Sequence, residues 1–458
     1  MITIVWLSAL LGPPLVTALW ALIDKDSQRT RIVAIVAAVA SCMGAVLVAF
    51  VAEPSTLHVA SALRMTDLSR LLVMLPPGLW LVTVTSTPNA RLERGGLGRT
   101  GASTAVGIFA FLTASPVLLA CCWAASSALF LRGIATADNR RTRRVVASYH
   151  VASLLLLVSG IVAMRAPGAT KQVGLWLVIG AVLVRKGIYP FHAWIPEAFD
   201  HGRIGPTVLL SAPQLGTYVA AILVVPQASP ATLRIVAILS LLTAVYGAAL
   251  ALYQSDARRT LGYLFVSQSA LVLAGLDCTS GDALAGAIVL WGSSALAFTG
   301  IARTVLSLEA RRGRLSLTTY HGGFDRMPLL AASFLLFGLA CTGFPGTLGF
   351  IGHELLIDGA VRSFPVLGFL TIAATALTGL TVLRMYFSLF CGKPDAGPRF
   401  RLRVREAVAF GGLAAILVAS GVVARPVARL SERASAQLLR GRSAAPSGTT
   451  AHTPRRSH

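Results

Sequence analysis

Hydrophobic residues in this chain fall into long runs that short polar segments separate. Fourteen runs have about the length of a membrane-spanning helix, if an interrupted run counts once, because a crossing needs roughly 17 to 25 residues. The runs are 1–23, 32–52, 71–86, two within 101–135, 145–163, 173–189, 206–225, 233–253, 261–276, 283–305, 329–361, 366–390 and 407–423. The pattern predicts an all-α polytopic membrane protein of about 14 transmembrane helices.

The composition supports this fold class. Hydrophobic residues make up 55% of the chain and the mean hydropathy is +0.73, whereas apolar residues are roughly 45 to 50% of a soluble domain. No cationic segment precedes the first run and no small-residue cleavage site follows it, so we expect a retained first helix and no cleaved signal peptide.

The run that begins at 173 carries two adjacent cations, Arg185 and Lys186, followed by Gly187 and Pro190. Proline cannot donate its backbone hydrogen bond, so the helix must break or kink there. A cation in hydrocarbon costs about 2.5 to 3.5 kcal/mol on insertion scales, so it is kept where it faces a bundle interior or a wet cavity. We expect a buried, functional pair; the alternative is a pair that extends from a helix end to the membrane surface.

A second interruption lies at 343–346, within the run 329–361. His353 and Glu354 follow it, and an imidazole beside a carboxylate is chemically able to pass protons. Because Asp358 and Arg362 come soon afterwards, a solvated helix end is the alternative interpretation.

The two interruptions divide the chain into repeats. If 101–228 and 229–392 each contain five helices, the interrupted helix is the fourth in both, and the second repeat enters the membrane inverted. Interrupted helices at matching positions of inverted halves indicate an ion site. Residues 1–100 then supply three helices and 393–424 one more, while 425–458 is predicted to be a frayed helix and a basic disordered tail.

The net charge of +22 comes from basic residues in short loops and in the tail. They concentrate in alternate loops, among them 137–144 and 308–326, which the positive-inside rule places in the cytoplasm. Both termini would then be external to the plasma membrane. Anionic lipids are the expected partners of these loops, and nucleic acid is not.

Two ordered motifs carry a family resemblance. The first comprises Pro190, Phe191, His192, Trp194 and Pro196, with Arg185 five residues before Pro190. The second occupies 256–268 and includes Arg258, Arg259, Ser267 and Gln268. Together they resemble the antiporter-like proton-conducting subunits of respiratory complex I, membrane-bound hydrogenases and multisubunit sodium/proton antiporters, over roughly 67–392. The resemblance implies a proton-conducting subunit of a larger complex, with other membrane and peripheral subunits as partners.

Several charges of that family are absent here. The resemblance implies a Glu after Trp123, where Ala124 stands, and Lys residues at the positions of Gln214 and Ser294. His353 occupies a further ionisable position. The expected proton pathway therefore consists of Arg185, Lys186, His192, Gln214, His353 and Glu354. Within it Lys186 would exchange protons and Arg185 would act as a fixed charge, whereas Gln214 could instead be an interhelical hydrogen bond.

No catalytic or cofactor site is expected in the chain itself. The G-x-G-x-x-G sequence at 96–101 follows a membrane span instead of a strand, and the six cysteines include no C-x-x-C pair. Redox chemistry would belong to a partner, so the chain is at most one subunit of an oxidoreductase-like complex. Two further functions remain open: the membrane subunit of a two-component proton-coupled inorganic carbon transporter, and a scaffold that conducts nothing.

Overall fold

The computed structural model describes residues 2–24, 26–50, 63, 65–92, 95–134, 139–278, 280–393 and 402–443. Within these ranges the regular structure is helical, and the β pairing is limited to two isolated bridges. Ten segments are helices long and apolar enough to cross a membrane. The predicted all-α polytopic fold is therefore confirmed.

Nineteen α-helices are described. They are α1 (Ile2–Ile23), α2 (Ser27–Phe50), α3 (Asp67–Leu72), α4 (Leu75–Ser86), α5 (Gly96–Leu112), α6 (Pro116–Ile134), α7 (Arg140–Ala163), α8 (Ala169–Lys186), α9 (Trp194–His201), α10 (Ile204–Ser211), α11 (Leu215–Val219), α12 (Pro230–Tyr253), α13 (Ala257–Leu276), α14 (Gly281–Arg312), α15 (Pro328–Cys341), α16 (Leu348–Ser363), α17 (Pro365–Phe390), α18 (Val404–Val422) and α19 (Arg425–Ser443). A 3-10 turn at Asn89–Arg91 and a π-helical turn at Ala220–Val224 complete the helical segments.

The centre of the bundle is formed by α10, α11, α13 and α14. In α14 and in the segment from Ile204 to Val224, 89% of the most apolar window is buried, against 17% for α1. The outer helices keep large apolar side chains such as Leu22, Val36 and Phe369 exposed, as a lipid-facing surface requires. The central position of these four helices brings their polar residues together, away from lipid.

One end of the bundle is fixed by an ion-pair cluster. Arg258 Nη2 lies 2.7 Å from Glu309 Oε2, and Arg314 donates to both Asp200 and Asp256. These contacts join the end of α9, the start of α13 and the end of α14. We call this side of the molecule the Asp200 end.

The start of α7 is attached to the same end. Thr142 Oγ1 donates to Glu197 Oε1 on α9 at 2.7 Å. Arg141, in the first turn of α7, and Arg312, the last residue of α14, therefore lie at one end of the bundle, as the loop charges predict.

The opposite end is crossed by α19. Ser435 Oγ donates to the carbonyl of Gly281 at 2.8 Å, Gln437 Nε2 donates to Asp67 Oδ2 at 2.6 Å, and Arg442 Nε donates to the carbonyl of Val225 at 3.2 Å. The sequence predicts a frayed helix and a disordered tail from residue 425. Instead, Arg425–Ser443 is a docked amphipathic helix, while 444–458 lie outside the described residues.

Candidate functional site

The predicted interruption after Lys186 is present. Gly187 adopts a left-handed φ of +67°, and Ile188 N donates to the carbonyl of Leu183 at 2.9 Å, which is a glycine-based helix end. Trp194 Nε1 donates to the carbonyl of Val184 at 2.9 Å. The same carbonyl accepts from Gly187 N at 3.2 Å, so the motif tryptophan fixes the start of α9 to the last turn of α8.

Arg185 lies in a buried cage of neutral groups. Its Nη1 donates to Ser127 Oγ at 2.5 Å and to His150 Nδ1 at 2.8 Å, and its Nη2 donates to Ser126 Oγ at 2.8 Å. The guanidinium carbon is 5.1 Å from the ring centroid of Trp123, a cation–π distance. Because Arg can only donate, His150 must present an unprotonated Nδ1 here.

This cage explains how the chain manages without an acid at Ala124. Ser126 and Ser127, one turn further along α6, provide oxygen acceptors, and His150 on α7 provides a nitrogen acceptor. None of these groups carries a compensating negative charge. The Arg185 charge is therefore solvated by dipoles and by an aromatic face, which suits a permanent charge.

Lys186 points to the other side of α8. Its Nζ donates to Gln214 Oε1 at 2.6 Å and to Thr217 Oγ1 at 2.5 Å, and its side chain is 3% exposed. Gln214 is thus a direct hydrogen-bond partner of the cation. Gly216 makes room for it, because a Cβ there would lie 2.9 Å from Lys186 Cγ.

The chain is also interrupted at Gln214 itself, which the sequence analysis did not predict. The run 206–225 was expected to be continuous. It consists instead of α10, an unwound stretch at 212–214 in which Gln214 has a φ of +53°, and α11 followed by the π-helical turn. Pro213 was the available signal, since it has no N–H to donate and disfavours a helical residue before it.

Two small cavities adjoin the cations. One of about 20 Å³ is lined by both Arg185 and Lys186, together with Gln214, Ser211 and Ser269. The other, of about 30 Å³, is lined by Arg185 and Ser126 among others. A polar cavity of more than about 10 to 15 Å³ can hold a water molecule. Each cavity therefore has room for water beside a buried cation.

Asp277, directly after α13, is a buried acid that the sequence analysis missed. It is 2% exposed and its Oδ2 has no hydrogen-bond partner among the described residues. The expected intramembrane acids behave differently, since Glu354 and Asp358 are both exposed.

His192 lies apart from the two cations. Its ring packs against three tyrosines, with centroid distances of 6.0 Å to Tyr189, 5.2 Å to Tyr246 and 6.2 Å to Tyr263. The structure does not bring it into contact with Arg185, Lys186 or Gln214. In the structure His192 belongs to an aromatic cluster between α8 and the outer faces of α12 and α13.

His353 and Glu354, which follow the second interruption on α16, have different surroundings. Gly343 and Gly346 take φ values of +75° and +86° between α15 and α16. His353 is buried, with Nδ1 2.9 Å from the carbonyl of Gly349, and its Nε2 has no partner among the described residues. The side chain of Glu354 points to the outside of the bundle. The side chain of His353 is therefore buried in the bundle, whereas that of Glu354 is exposed.

The middle of α13 carries further buried polar groups. Gln268 is 2% exposed and therefore lies inside the bundle. Neither of its amide atoms has a partner among the described residues, and the hydroxyls of Ser267 and Ser269 are likewise unpaired there. Buried polar groups of this kind are usually satisfied by water.

Comparison with known proteins identifies the family. Residues 99–378 match the family model described as "NADH:quinone oxidoreductase/Mrp antiporter, TM". NADH-quinone oxidoreductase subunit N of Rubrobacter xylanophilus is 29% identical over 225 residues, which cover 47% of this chain and 46% of the relative. Subunit M of Pseudomonas aeruginosa is 29% identical over 262 residues, covering 55% and 50%. The chain thus spans about half the length of the curated relatives it matches.

The fold extends further than the sequence similarity. A chain of respiratory complex I from Thermus thermophilus with bound NADH superimposes with a TM-score of 0.85 at 19% identity, covering 95% of this chain and 99% of that one. A chain of the Mrp complex from Dietzia superimposes with a TM-score of 0.82 at 17% identity, covering 94% and 97%. Residues 99–378 contain the interruptions after Lys186, at 212–214 and at 343–346, and the chain belongs to the NADH:quinone oxidoreductase/Mrp antiporter family of transmembrane proteins.

Proposed function

We propose that this chain is a proton-conducting, antiporter-like membrane subunit of a larger ion-translocating complex. The observation that carries the proposal is the setting of Lys186 at the end of α8. The ammonium is buried at a helix interruption, hydrogen-bonded only to neutral oxygens of Gln214 and Thr217 among the described residues, and beside a cavity with room for water. An ionisable group inside a membrane bundle is by default a candidate for an ion path.

The two cations have different roles in this proposal. Lys186 can release and accept a proton, and its neutral partners impose no fixed counter-charge on it. Arg185 stays charged and sets the electrostatic field at its neighbour. The unpaired polar groups of Ser269 and Gln268 continue the polar surface along α13, and water bound to them would carry protons where the family's charges are missing.

Asp277 supplies the acid that Ala124 does not. It is buried directly after α13, and its Oδ2 has no hydrogen-bond partner among the described residues. A proton that leaves Lys186 toward the α19 end would meet this carboxylate. We therefore add Asp277 to the proton pathway, next to Lys186, Gln214 and His353.

The proposed membrane architecture follows the family. We infer 14 spans, counting α3 with α4, α8 with α9, α10 with α11, and α15 with α16 as single crossings. Residues 101–228 and 229–392 form the two inverted repeats, each with an interrupted fourth helix. The Asp200 end faces the cytoplasm of a plasma membrane, because the basic loops lie there.

Partner subunits are proposed for the outer face of α16. Glu354 is exposed on α16, and if α15 and α16 together cross the apolar layer, an uncovered acid there is costly. The relatives named above are subunits by name, of NADH-quinone oxidoreductases and of an Mrp complex. A neighbouring subunit that hydrogen-bonds Glu354 would remove the cost.

Proton flux in proteoliposomes containing the chain with its complex tests the central claim. Lys186→Ala should abolish proton-dependent activity while the protein stays folded. Lys171→Ala is a matched control, because Lys171 is an exposed lysine in the first turn of the same helix. Full activity in Lys186→Ala would refute the proposed pathway.

The same assay tests two other ionisable residues of the proposed pathway, His353 and Asp277. His353→Ala should also abolish coupling, and Asp277→Asn should lower flux by about tenfold or more, since a positioned proton donor or acceptor typically contributes at least about 10²-fold. Asp282→Asn is the control for Asp277, because Asp282 is an exposed acid at the same end of the bundle. If Asp277→Asn and Asp282→Asn show equal proton flux, Asp277 does not belong to the pathway.

The neutral cage around Arg185 favours one other function, a scaffold that conducts nothing. This function is favoured if proton flux through the complex depends on neither Lys186 nor His353. Ala124, which stands where the family has a glutamate, would then be best explained as a loss of conduction. A requirement for a soluble, zinc-dependent partner would instead favour the two-component carbon transporter.

A further inference from the structure

Trp291, in the first half of α14, is fully buried, and the proposed proton pathway does not use it. Its Nε1 donates to the carbonyl of Pro213 at 3.0 Å. Pro213 lies in the unwound stretch at 212–214 that separates α10 from α11. One hydrogen bond therefore connects α14 to the helix interruption that carries Gln214.

The carbonyl of Pro213 depends on this bond. In a continuous helix it would accept from the N–H of Thr217, but that N–H donates to the carbonyl of Gln214 at 2.9 Å. Among the described residues no backbone N–H donates to the Pro213 carbonyl, and the indole is its donor. Pro213 is buried, and a buried carbonyl that lacks a donor is costly. Trp291 therefore stabilises the unwound form of the stretch.

Gln214 needs this support because of its backbone conformation. Its φ of +53° is left-handed, and a non-glycine residue keeps such a conformation only where its surroundings hold it there. The Pro213 carbonyl and the Gln214 N–H belong to the same planar peptide, so the indole fixes the orientation of the peptide that precedes Gln214. The side chain of Gln214 in turn accepts from Lys186 Nζ at 2.6 Å.

The same stretch lies beside both of the small cavities at the cations. Gln214 lines the cavity of about 20 Å³, Pro213 lines the one of about 30 Å³, and Leu215 and Arg185 line both. A shift of the stretch would therefore change the space for water next to the two cations as well as the acceptor of Lys186.

Phe111, near the end of α5, packs against both Trp291 and α11. Its ring centroid lies 6.1 Å from that of Trp291 and 5.1 Å from that of Tyr218 on α11, both edge to face. Tyr218 Oη also donates to the Phe111 carbonyl at 3.0 Å. The indole and the helix after the interruption thus share one anchor, which favours a fixed position of the indole relative to the stretch.

We propose that Trp291 is a positioning residue for proton exchange at Lys186. Its N–H holds the peptide before Gln214 so that Gln214 Oε1 meets Lys186 Nζ and the two cavities keep their shape. The indole nitrogen is a donor only and accepts no proton, so Trp291 acts through Gln214. This inference rests on the proposed function, in which Lys186 accepts and releases the proton.

Trp291→Phe tests the role of the N–H, because phenylalanine keeps an aromatic ring beside Phe111. Proton flux in proteoliposomes containing the chain with its complex should fall about tenfold, or by about 1.4 kcal/mol, since the change leaves a buried carbonyl without its donor. Trp80→Phe is the matched control, because Trp80 is equally buried and its Nε1 donates to Thr100 Oγ1 at 3.1 Å, away from both cavities. Flux should be unchanged in this control.

A second variant covers the case in which Trp291→Phe fails to fold. Replacing Trp291 by its benzothiophene analogue, in which sulfur takes the place of the ring N–H, removes the same donor with little change of shape. It should give the same loss of flux.

Two further measurements separate positioning from packing. Because Trp291 acts through Gln214, Trp291→Phe should not lower flux further when Gln214→Ala is already present. Amide hydrogen exchange of the segment 212–218, measured by mass spectrometry, should be faster in Trp291→Phe than in the wild type and unchanged in Trp80→Phe.

The possible outcomes distinguish this inference from the proposed function. Additive losses in the double variant, equal losses in the Trp291 and Trp80 variants, or unchanged exchange at 212–218 would each overturn the inference. Unchanged flux in Trp291→Phe would also overturn it, while loss of flux in Lys186→Ala would leave the proposed function intact. If the wild type shows no flux that depends on Lys186, the proposed function fails, and the exchange measurement still decides whether Trp291 holds the stretch.

Discussion

Arg185 and Lys186 are neighbours in sequence, yet their side chains lie in different surroundings. Successive residues of a helix point about 100° apart, so Arg185 reaches α6 and α7 while Lys186 reaches α11. Arginine keeps its charge and needs many acceptors, and lysine is a point charge that can lose its proton. One helix end thus places a guanidinium and an ammonium side by side in separate surroundings.

The close approach of Gly216 to Lys186 leads to a prediction. Replacing Gly216 by Ala would place a methyl group 2.9 Å from Lys186 Cγ, and relief of that clash must shift Lys186 away from Gln214. We expect destabilisation of about 1 to 3 kcal/mol, the usual cost of overpacking, seen as a lower Tm of the purified protein, together with reduced proton flux.

Gly180→Ala provides the comparison, because Gly180 lies in α8 and the nearest atom to its Cβ would be 3.7 Å away, on Leu156. It should be neutral or slightly stabilising, as Gly-to-Ala changes inside helices are. If both variants lower Tm equally, the space at Gly216 has no special role.

The sequence predicted the residues of the site unevenly. Buried cations were predictable, because Arg185 and Lys186 stand inside an apolar run. Asp277 was not, because it follows the end of a run and is buried by packing against distant parts of the chain. Glu354 is the opposite case, an acid that stands inside an apolar run but is exposed. Residues along one helix point to different faces, so His353 is buried while the next residue, Glu354, is not.

At the scale of elements, α19 has a defined position that its composition did not suggest. Its charged residues make it too polar to be a buried helix, but its apolar side packs on the bundle, where Ala434 is fully buried. Arg442 donates to the carbonyl of Val225, and desolvation lowers the pKa of its guanidinium, partly offset by the carboxylate of Asp277. The helix therefore covers the end of α13 and the acid there.

Loosening α19 should expose the residues beneath it. Cys278, next to Asp277, is a free cysteine that is 4% exposed. Replacing Ser435 and Gln437 by Ala removes two of the bonds that hold the helix, so we expect faster labelling of Cys278 by a maleimide, measured by mass spectrometry at that residue.

Cys341 serves as the internal reference for this experiment, because it is a free, buried cysteine at the C-terminal end of α15. Its labelling should stay slow in both proteins. A variant that labels Cys278 no faster than the wild type would show that α19 does not shield the end of α13.

Helix interruptions were predictable where glycine and proline occur together. Interruptions were predicted correctly at Gly187 with Pro190 and at 343–346, because glycine and proline both oppose helix continuation. The break at 212–214 was missed because one proline in an apolar run produces either a kink or a full interruption. At the full interruption seen here, Lys186 on the neighbouring helix α8 donates a hydrogen bond to Gln214 Oε1, a tertiary contact that the local sequence does not reveal.

For the whole molecule, the bonds at the Asp200 end bear on membrane orientation. Because Arg141 and Arg312 lie at the same end, cysteines placed at both positions should be labelled from the same side of the membrane. The density of arginines in these loops predicts the cytoplasmic side. Labelling of intact cells and of inverted vesicles with an impermeant maleimide distinguishes the two sides.

A cysteine in place of Lys171, at the start of α8, supplies the opposite control, since it should be labelled from the external side. Labelling of 141 and 312 from opposite sides would contradict both the ion-pair cluster and the span count. Labelling of both from outside would keep the fold and reverse its orientation.

The exposed position of Glu354 also bears on how the protein is made. If α15 and α16 form one crossing, as proposed above, a newly inserted chain exposes Glu354 to lipid before any other subunit arrives, and an acid within the apolar layer costs about 2.5 to 3.5 kcal/mol on insertion scales. That penalty is comparable with a large part of the marginal stability of a folded domain. The neighbouring subunit would therefore act as a folding chaperone, and orphan copies should be degraded faster than assembled ones.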